Sequence, residues 1–167
     1  FSNLFLDKFE DDRVYPFDLL SILDNILIYG LYPEMISRPF DSVYLTNLVD
    51  SVVFKDLLDL RLIENREGAL KLLKLLAYQI GSLVNYSELS SRLGMDVKTI
   101  GRYIDLFEQS FIIFKLLPYS TKKRDEIGKM PKIYFYDLGL RNALIENFQS
   151  INNRPDGGHM FENFIVS

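Results

Sequence analysis

Four side chains on one predicted helix have the chemistry to contact nucleic acid. Asp96 is a favoured helix N-cap, and the segment VKTIGRYIDLFEQS follows it. Helical spacing predicts an inward apolar stripe formed by Val97, Ile100, Ile104 and Phe107. The outer faces would then present Lys98, Thr99, Arg102 and Tyr103, types that contact phosphates and base edges. The alternative is a solvated face, partly neutralised by Asp105 and Glu108.

A second basic group follows this helix. Residues 121–132 hold five basic and two acidic residues, a net charge of +3. Its candidate DNA contacts are Lys122, Lys123, Arg124 and Lys129. Such charge binds a phosphate backbone through a salt-dependent attraction. The alternative is a lysine-rich loop that protects an exposed sheet edge.

The elements around these residues follow the order of a winged helix. Residues 70–81 have the apolar spacing of a long helix, and ELSSRLG is a short helix opened at Ser87 and stopped by Gly94. After the helix that follows Asp96, FIIFKLL and KIYFY are rich in β-branched and aromatic residues, which indicates two strands. The sequence therefore predicts a helix-turn-helix followed by a two-stranded wing.

The first part of the chain is predicted to be a helical lobe. Pro16 would open a helix that ends at Gly30 and carries Phe17, Leu20, Leu23 and Leu27 near one face. Asp41 or Ser42 would cap a second helix, VYLTNLVDSVVFKDLLDL. After the strands, Asp137 would cap LGLRNALIENF, and NNRPDGG is typical of a flexible linker before a last helix. The predicted domains are 1–67, 68–150 and 151–167, in a mostly α protein.

Charge divides the chain in the same way. Residues 1–67 have 6 basic and 13 acidic residues, a net charge of −7, whereas residues 68–167 have 13 basic and 10 acidic residues, a net charge of +3. A positive second part is compatible with DNA, and an acidic first part suits a surface that faces solvent or protein.

Signals for catalysis and for membranes are weak. The chain has no cysteine and one histidine, His159, beside two glycines, so we expect no catalytic residue and no metal site. The most apolar stretches are interrupted by charges and are shorter than the roughly 20 residues of a membrane span. We therefore expect no enzyme activity and no cofactor in these residues, no membrane partner and a cytoplasmic location.

Several segments together resemble a known family. They are ILIYGLYPEMI, VYLTNLVDSVVFKDLLDL, GMDVKTIGRYIDLFEQSF and KMPKIYFYDLGLRNAL, in this order and spacing. This pattern is similar to the region downstream of the ATPase core in a bacterial and archaeal group of AAA-type P-loop ATPases, whose C-terminal portion is a domain of unknown function. The resemblance covers about residues 29–166.

The resemblance implies a larger parent protein. It implies an ATP- and Mg-binding core before residue 1, a winged helix in the middle and a nuclease-like fold after it. Glu162 resembles the acidic residue on the opening helix of that fold, whose other catalytic residues would lie beyond residue 167. The chain is therefore expected to be a non-catalytic piece of a longer ATPase.

Two functions remain open from the sequence. The first is a region that binds double-stranded DNA through the presented helix and the basic wing. The alternative is a regulatory module that docks on its own ATPase core or on a partner protein through the acidic helical lobe.

Overall fold

The fold is mostly helical, with a small two-stranded antiparallel sheet, and this confirms the predicted fold class. A computed structural model describes residues 18–38, 40–49, 51, 63–118 and 130–167. The helices before the sheet that lie within these residues are α1 (Leu19–Tyr29), α2 (Pro33–Ser37), α3 (Ser42–Leu48), α4 (Arg66–Tyr78), α5 (Tyr86–Leu93) and α6 (Val97–Gln109). Strands β1 (Ile113–Leu116) and β2 (Lys132–Phe135) come next, and then α7 (Leu138–Leu144), a 3-10 helix (Ile151–Asn153) and α8 (Gly157–Val166).

Polar caps determine where most of these helices begin. Side-chain oxygens accept backbone N–H groups at Asp18, Asp41, Asn65, Asn85, Asp96 and Asp137. Such caps satisfy amides that have no partner inside the helix. The predicted caps Asp41, Asp96 and Asp137 are confirmed. Helix α5 begins after Asn85 and not at Ser87, and Pro16 lies outside the described residues.

The structure of the helical lobe agrees only in part with the prediction from the sequence. Leu27 of α1 is buried, but Leu20, predicted on the same face, is 77% exposed. Leu45 and Leu48 of α3 are buried as their spacing predicts. The rest of the predicted second helix, from residue 52 to 60, lies outside the described residues.

The two strands form one face of the core. Ile113 pairs with Phe135 and Lys115 pairs with Ile133 in an antiparallel register. Ile113, Ile133 and Phe135 are fully buried, and Tyr134 between the last two is only 1% exposed, so β2 is buried on both of its faces. Beyond β2, the Gly81 amide donates to the Ile133 carbonyl (3.0 Å) and the Val84 amide donates to the Pro131 carbonyl (2.9 Å), which ties the hairpin to the turn after α4.

Helix α7 is joined to the end of α1 by one carboxylate. Asp137 Oδ1 accepts the Leu140 amide at 2.8 Å, and its Oδ2 accepts the Leu31 amide at 2.7 Å. Burial raises the pKa of Asp137, and the backbone N–H donors oppose that rise. The Asn142 side chain donates to the carbonyls of Leu27 (3.0 Å) and Ile28 (2.8 Å). Side chains of α7 and its cap thus satisfy backbone groups in the last turn of α1 and just after it.

A buried ion cluster joins α7 to the residues before α8. Asp156 contacts Arg141 at 2.6 Å and Arg154 at 2.6 Å, and both guanidinium groups are almost fully buried. Arg141 also donates from Nε to the Ala77 carbonyl of α4 at 2.8 Å. Burial acts to raise the pKa of Asp156, but the hydrogen bonds and charges of the two arginines outweigh it and lower that pKa to about 2.

Helix α8 continues the hydrogen bonding of β2. The Asn163 side chain accepts the Phe135 amide at 2.7 Å and donates to the Phe135 carbonyl at 2.8 Å. Asn163 is 1% exposed, so its amide group acts as a buried extension of the sheet. Residues 152–158, expected as a flexible linker, include part of the 3-10 helix, the buried Arg154 and the first two residues of α8. None of the helices in the described ranges is both long enough and apolar enough to cross a membrane.

Gly139 provides a test of the contact between α1 and α7. A Cβ at this position would lie 2.0 Å from the Tyr29 carbonyl oxygen. Backbone atoms cannot easily move, so we expect Gly139→Ala to lower the free energy of unfolding by about 2–3 kcal/mol in urea titrations. Gly158→Ala is the matched control, since a Cβ there meets nothing within 4 Å. Equal stability of the two variants would contradict this packing.

The Asp156 cluster predicts a loss of stability in acid. Because the folded pKa of about 2 lies below the ordinary value of 3.8, the stabilisation is present above pH 4 and is lost as the pH falls toward 2. Partial exposure of the carboxylate (18%) screens the charges, so we expect about 1–2 kcal/mol from this term. Asp156→Asn should flatten this part of a stability profile measured by chemical unfolding. Glu34→Gln, at an exposed side chain in the first turn of α2, is the control.

Candidate nucleic-acid interface

A tight turn sets the angle between α5 and α6. Gly94 ends α5 with a left-handed φ of 62°, which a glycine adopts without strain. Ser90 Oγ then donates to the Met95 carbonyl at 2.5 Å. Asp96 accepts the amides of Lys98 (2.9 Å) and Thr99 (3.0 Å), and the hydrogen bond from the Thr99 hydroxyl is the main cause that lowers the pKa of Asp96. The helix-turn-helix arrangement is therefore held by its own side chains.

The buried stripe of α6 differs from the predicted one at two positions. Ile100, Ile104 and Phe107 are fully buried, as expected, whereas Val97 is 44% exposed. Tyr103, predicted on the outer face, is 1% exposed, and its hydroxyl accepts the Asn65 amide at 3.1 Å. The residues just before α4 cover this side of α6, so the helix is buried over a wider arc than one stripe. Tyr103 is not available for a DNA contact in this structure.

Two cations on α6 remain accessible. Lys98 is exposed in the first turn, and Arg102 is exposed one turn later. Arg102 Nη1 lies 3.2 Å from Glu64 Oε1, in a pair whose side chains are 46% and 78% exposed. Such exposed pairs contribute little to stability, so Glu64 holds Arg102 only weakly. The Thr99 hydroxyl donates to Asp96 at 2.6 Å and serves the cap.

A three-residue ion cluster fixes the hairpin against α6. Lys115 Nζ lies 2.7 Å from Asp105 and 2.8 Å from Glu108, and the Lys115 amide donates to Glu108 at 3.0 Å. Burial acts to lower the pKa of Lys115, but the two carboxylates outweigh it and raise that pKa well above its ordinary value. Glu108 thereby accepts a hydrogen bond from a backbone N–H group on the open edge of β1. That N–H group cannot pair with another strand.

An open groove lies beside this cluster. It has a volume of about 570 Å³, and Tyr86, Lys115, Leu117 and Met130 are among its lining residues. Burial raises the pKa of the Tyr86 hydroxyl at this site. The groove separates the start of α5 from the ends of the two strands.

The predicted wing contacts lie outside the described residues. Residues 119–129 include Lys122, Lys123, Arg124 and Lys129, so their prediction as DNA contacts stays a prediction. The fifth basic residue, Lys132, belongs to β2 and donates to Glu162 Oε1 at 2.8 Å. Tyr134 donates to the same oxygen at 2.6 Å, and the hydrogen bond from Lys132 is the main cause that lowers the pKa of Glu162. His159 Nδ1 is 3.7 Å from Glu162 Oε2, on the surface of α8.

Exposed aromatic side chains on the hairpin were not predicted from the sequence. Phe111 is 73% exposed and Tyr136 is 47% exposed, and their ring centroids are 5.7 Å apart. Phe114 lies 5.1 Å from Tyr136 and 5.5 Å from Tyr134. The alternation within KIYFY contained part of this signal, because Tyr134 and Tyr136 are two apart and residues two apart on a strand share one face. Phe111 lies before β1, so no strand pattern predicted its position.

Comparison with known proteins places the chain in a family. Residues 20–151 match the domain of unknown function DUF8612, and the chain belongs to this family. The chain is 27% identical over 124 residues to an uncharacterized protein of Haemophilus influenzae, which covers 70% of this chain and 31% of that protein. It is 26% identical over 145 residues to an uncharacterized protein of Methanocaldococcus jannaschii, which covers 83% of this chain and 30% of that protein.

A third relative is also uncharacterized and also much longer than this chain. It is an uncharacterized protein of Mycobacterium bovis, 28% identical over 94 residues, which covers 55% of this chain and 21% of that protein. The chain thus spans about a third or less of the length of these curated relatives. No solved structure matches the chain. A family of unknown function is confirmed, and the expectation of an AAA-type ATPase stays a prediction.

Proposed function

We propose that this chain is the DNA-binding winged-helix region of a longer AAA-type ATPase and is itself non-catalytic. The observation that carries the proposal is the exposure of Lys98 and Arg102 on α6, the helix that follows the tight turn at Gly94. In DNA-binding helix-turn-helix proteins, the second helix enters the major groove with its N-terminal residues at the bases. Lys98 and Arg102 occupy the first half of α6, which fits that geometry.

The hairpin supports the same proposal through its position. The Lys115 cluster ties β1 to α6, so the segment between the strands follows a strand that is anchored to the presented helix. That segment, residues 117–131, has four basic and two acidic residues. A wing of positive charge next to the helix would contact the phosphate backbone. ATP and Mg would bind the ATPase core of the longer protein, as the family resemblance implies.

Duplex DNA binding is the direct test. By fluorescence anisotropy at low salt, we expect binding whose affinity falls as the salt concentration rises. Lys98→Glu should weaken binding and lower the slope of log affinity against log salt by about 1, and Lys122→Glu with Lys123→Glu should lower it by about 2. Each substitution removes phosphate contacts.

Tyr103→Phe is the matched control in this titration. It removes only the buried hydroxyl that accepts the Asn65 amide, so it should cost about 1 kcal/mol of stability and leave the DNA affinity unchanged. Absence of duplex binding, or affinity that is unchanged by all of the lysine substitutions, would show that the proposal is wrong.

A second candidate function is a docking module for the ATPase core or a partner protein. It is favoured by the start of α1, where Leu19 is 58% exposed and Leu20 is 77% exposed. Beside them lies a groove of about 470 Å³ whose lining includes Leu20, Leu27 and Phe161. Exposed apolar surface of this kind often marks a protein contact.

Surface substitutions test this second candidate without removing the lobe. Leu19→Asp with Leu20→Asp should change the ATP turnover of the longer protein, because charges would block an apolar contact. Val43→Asp is the control, since Val43 is 70% exposed on α3. Turnover that is the same in both variants and in the parent protein would count against a docking role for α1.

A further inference from the structure

We propose that an apolar face beside the end of α1 is a permanent contact with another domain of the longer protein. Four exposed side chains define this apolar face: Leu31, Phe40, Phe111 and Tyr136. It lies beyond the opposite end of α1 from the two leucines of the second candidate function. The inference rests on the proposed function in one respect, which is that this chain is a region of a longer protein.

The four side chains form one continuous surface. The rings of Phe111 and Tyr136 have centroids 5.7 Å apart. Tyr136 and Leu31 line one small cleft of about 50 Å³, and Leu31 and Phe40 line a second cleft of about 170 Å³. The exposed fraction is 73% for Phe111, 65% for Leu31, 56% for Phe40 and 47% for Tyr136. Large apolar side chains that are exposed together mark a contact surface, whereas single ones are ordinary.

Two of these residues have backbone conformations that favour glycine. The φ angle is 65° at Phe40 and 55° at Phe111. At the end of α6, the Ile112 amide donates to the Phe107 carbonyl at 3.0 Å. The Phe111 amide donates to the Glu108 carbonyl at 3.1 Å, so Phe111 is the left-handed residue of a Schellman motif. Glycine is usual at such a position because a side chain is disfavoured there.

Exposed rings at strained positions indicate a function that lies outside the packing of this chain. The described ring contact of Phe111 is the edge-on contact with Tyr136, and that of Phe40 is an edge-on contact with Tyr29 at 5.4 Å. Both phenylalanines remain more than half exposed. Their burial in this chain therefore returns little for an unfavourable backbone conformation. A protein surface that covers both rings would return more.

The charge of the apolar face favours an apolar protein surface as its occupant. Among the described residues that line the two clefts, the one charged side chain is Asp137. Its two oxygens already accept the amides of Leu140 and Leu31. The clefts therefore offer no cation to a phosphate and no free charge to a charged peptide. Permanent protein contacts are the more apolar class of interface.

The rest of the longer protein is the partner that fits a permanent contact. The match covers 31%, 30% and 21% of the three curated relatives, so the larger part of each relative lies outside it. A domain in the same polypeptide is always present, at an effective concentration of about millimolar. A separate partner, or a second copy of this chain, would have to compete with that linked domain. The linked domain is therefore the occupant that we assign to the apolar face.

Thiol labelling tests this assignment, because the chain has no cysteine of its own. Phe111→Cys and Leu31→Cys each place a thiol on the apolar face, and mass spectrometry of the modified peptide reports its reaction with N-ethylmaleimide. Each thiol should react rapidly in the 167-residue chain. In the longer protein the reaction should be slower by about 10-fold or more, because labelling then requires the domain contact to open. Ser91→Cys, exposed on α5, is the control and should react equally fast in both proteins.

A second variant separates a role in folding from a role in the contact. Phe111→Gly relieves the left-handed strain, so the midpoint of thermal unfolding of the 167-residue chain should be no lower than that of the parent chain. In the longer protein the same substitution removes a ring from the contact. The thiol of Leu31→Cys should then react roughly 5-fold faster or more, as expected for loss of an aromatic anchor. A clearly lower midpoint would show that the ring serves this fold, and would overturn the inference.

The possible outcomes separate the domain contact from DNA binding. Equal labelling rates at position 111 in the two proteins would overturn the contact and leave the proposed duplex binding in place. Slowed labelling at positions 31 and 111 without duplex binding would support the contact and overturn the DNA-binding function. Equal slowing at position 91 would show general shielding, and slowing that depends on the concentration of the 167-residue chain would show a second copy on this face. Either of these last two results would overturn the inference.

Discussion

The contact between Asp137 and the end of α1 is the constraint on which the rest of this fold depends. Its two carboxylate oxygens serve α7 and the chain after α1 at once, at 2.8 and 2.7 Å. The helices approach so closely that a Cβ at Gly139 would clash with a carbonyl of α1. From this position, α7 reaches α4 through Arg141 and the residues before α8 through Asp156. One short helix thereby joins the helical lobe to the sheet and to α8.

A second set of contacts fixes the positions of the elements that form the candidate interface. Tyr103 anchors α6 against the residues before α4, and Lys115 anchors β1 against α6. The hairpin is held on its other edge by the turn at Gly81 and by Asn163. The presented helix and the two strands therefore have a fixed relative position, and preorganisation of this kind lowers the entropic cost of binding.

The exposed surface divides into two kinds of chemistry. Lys98 and Arg102 offer point charges, which attract any phosphate and weaken as salt rises. Phe111 and Tyr136 offer exposed aromatic rings, whose centroids are 5.7 Å apart. Phe111 occupies a left-handed backbone position that favours glycine, so stability has been given up at a residue whose ring faces solvent. The two surfaces belong to elements that the Lys115 cluster joins.

The sequence by itself determined the local features of this protein. Local features depend on residues that are close in the chain, so sequence preferences predict them. Examples are the helix caps Asp96 and Asp137, the helix end at Gly94 and the two strands. Tertiary structure alone decided that Tyr103 is buried, that Leu20 is exposed and that Arg141 and Arg154 share Asp156. Those outcomes depend on which elements pack together across long separations in the chain. The apolar spacing of one helix does not show how much of its surface the neighbouring elements will cover.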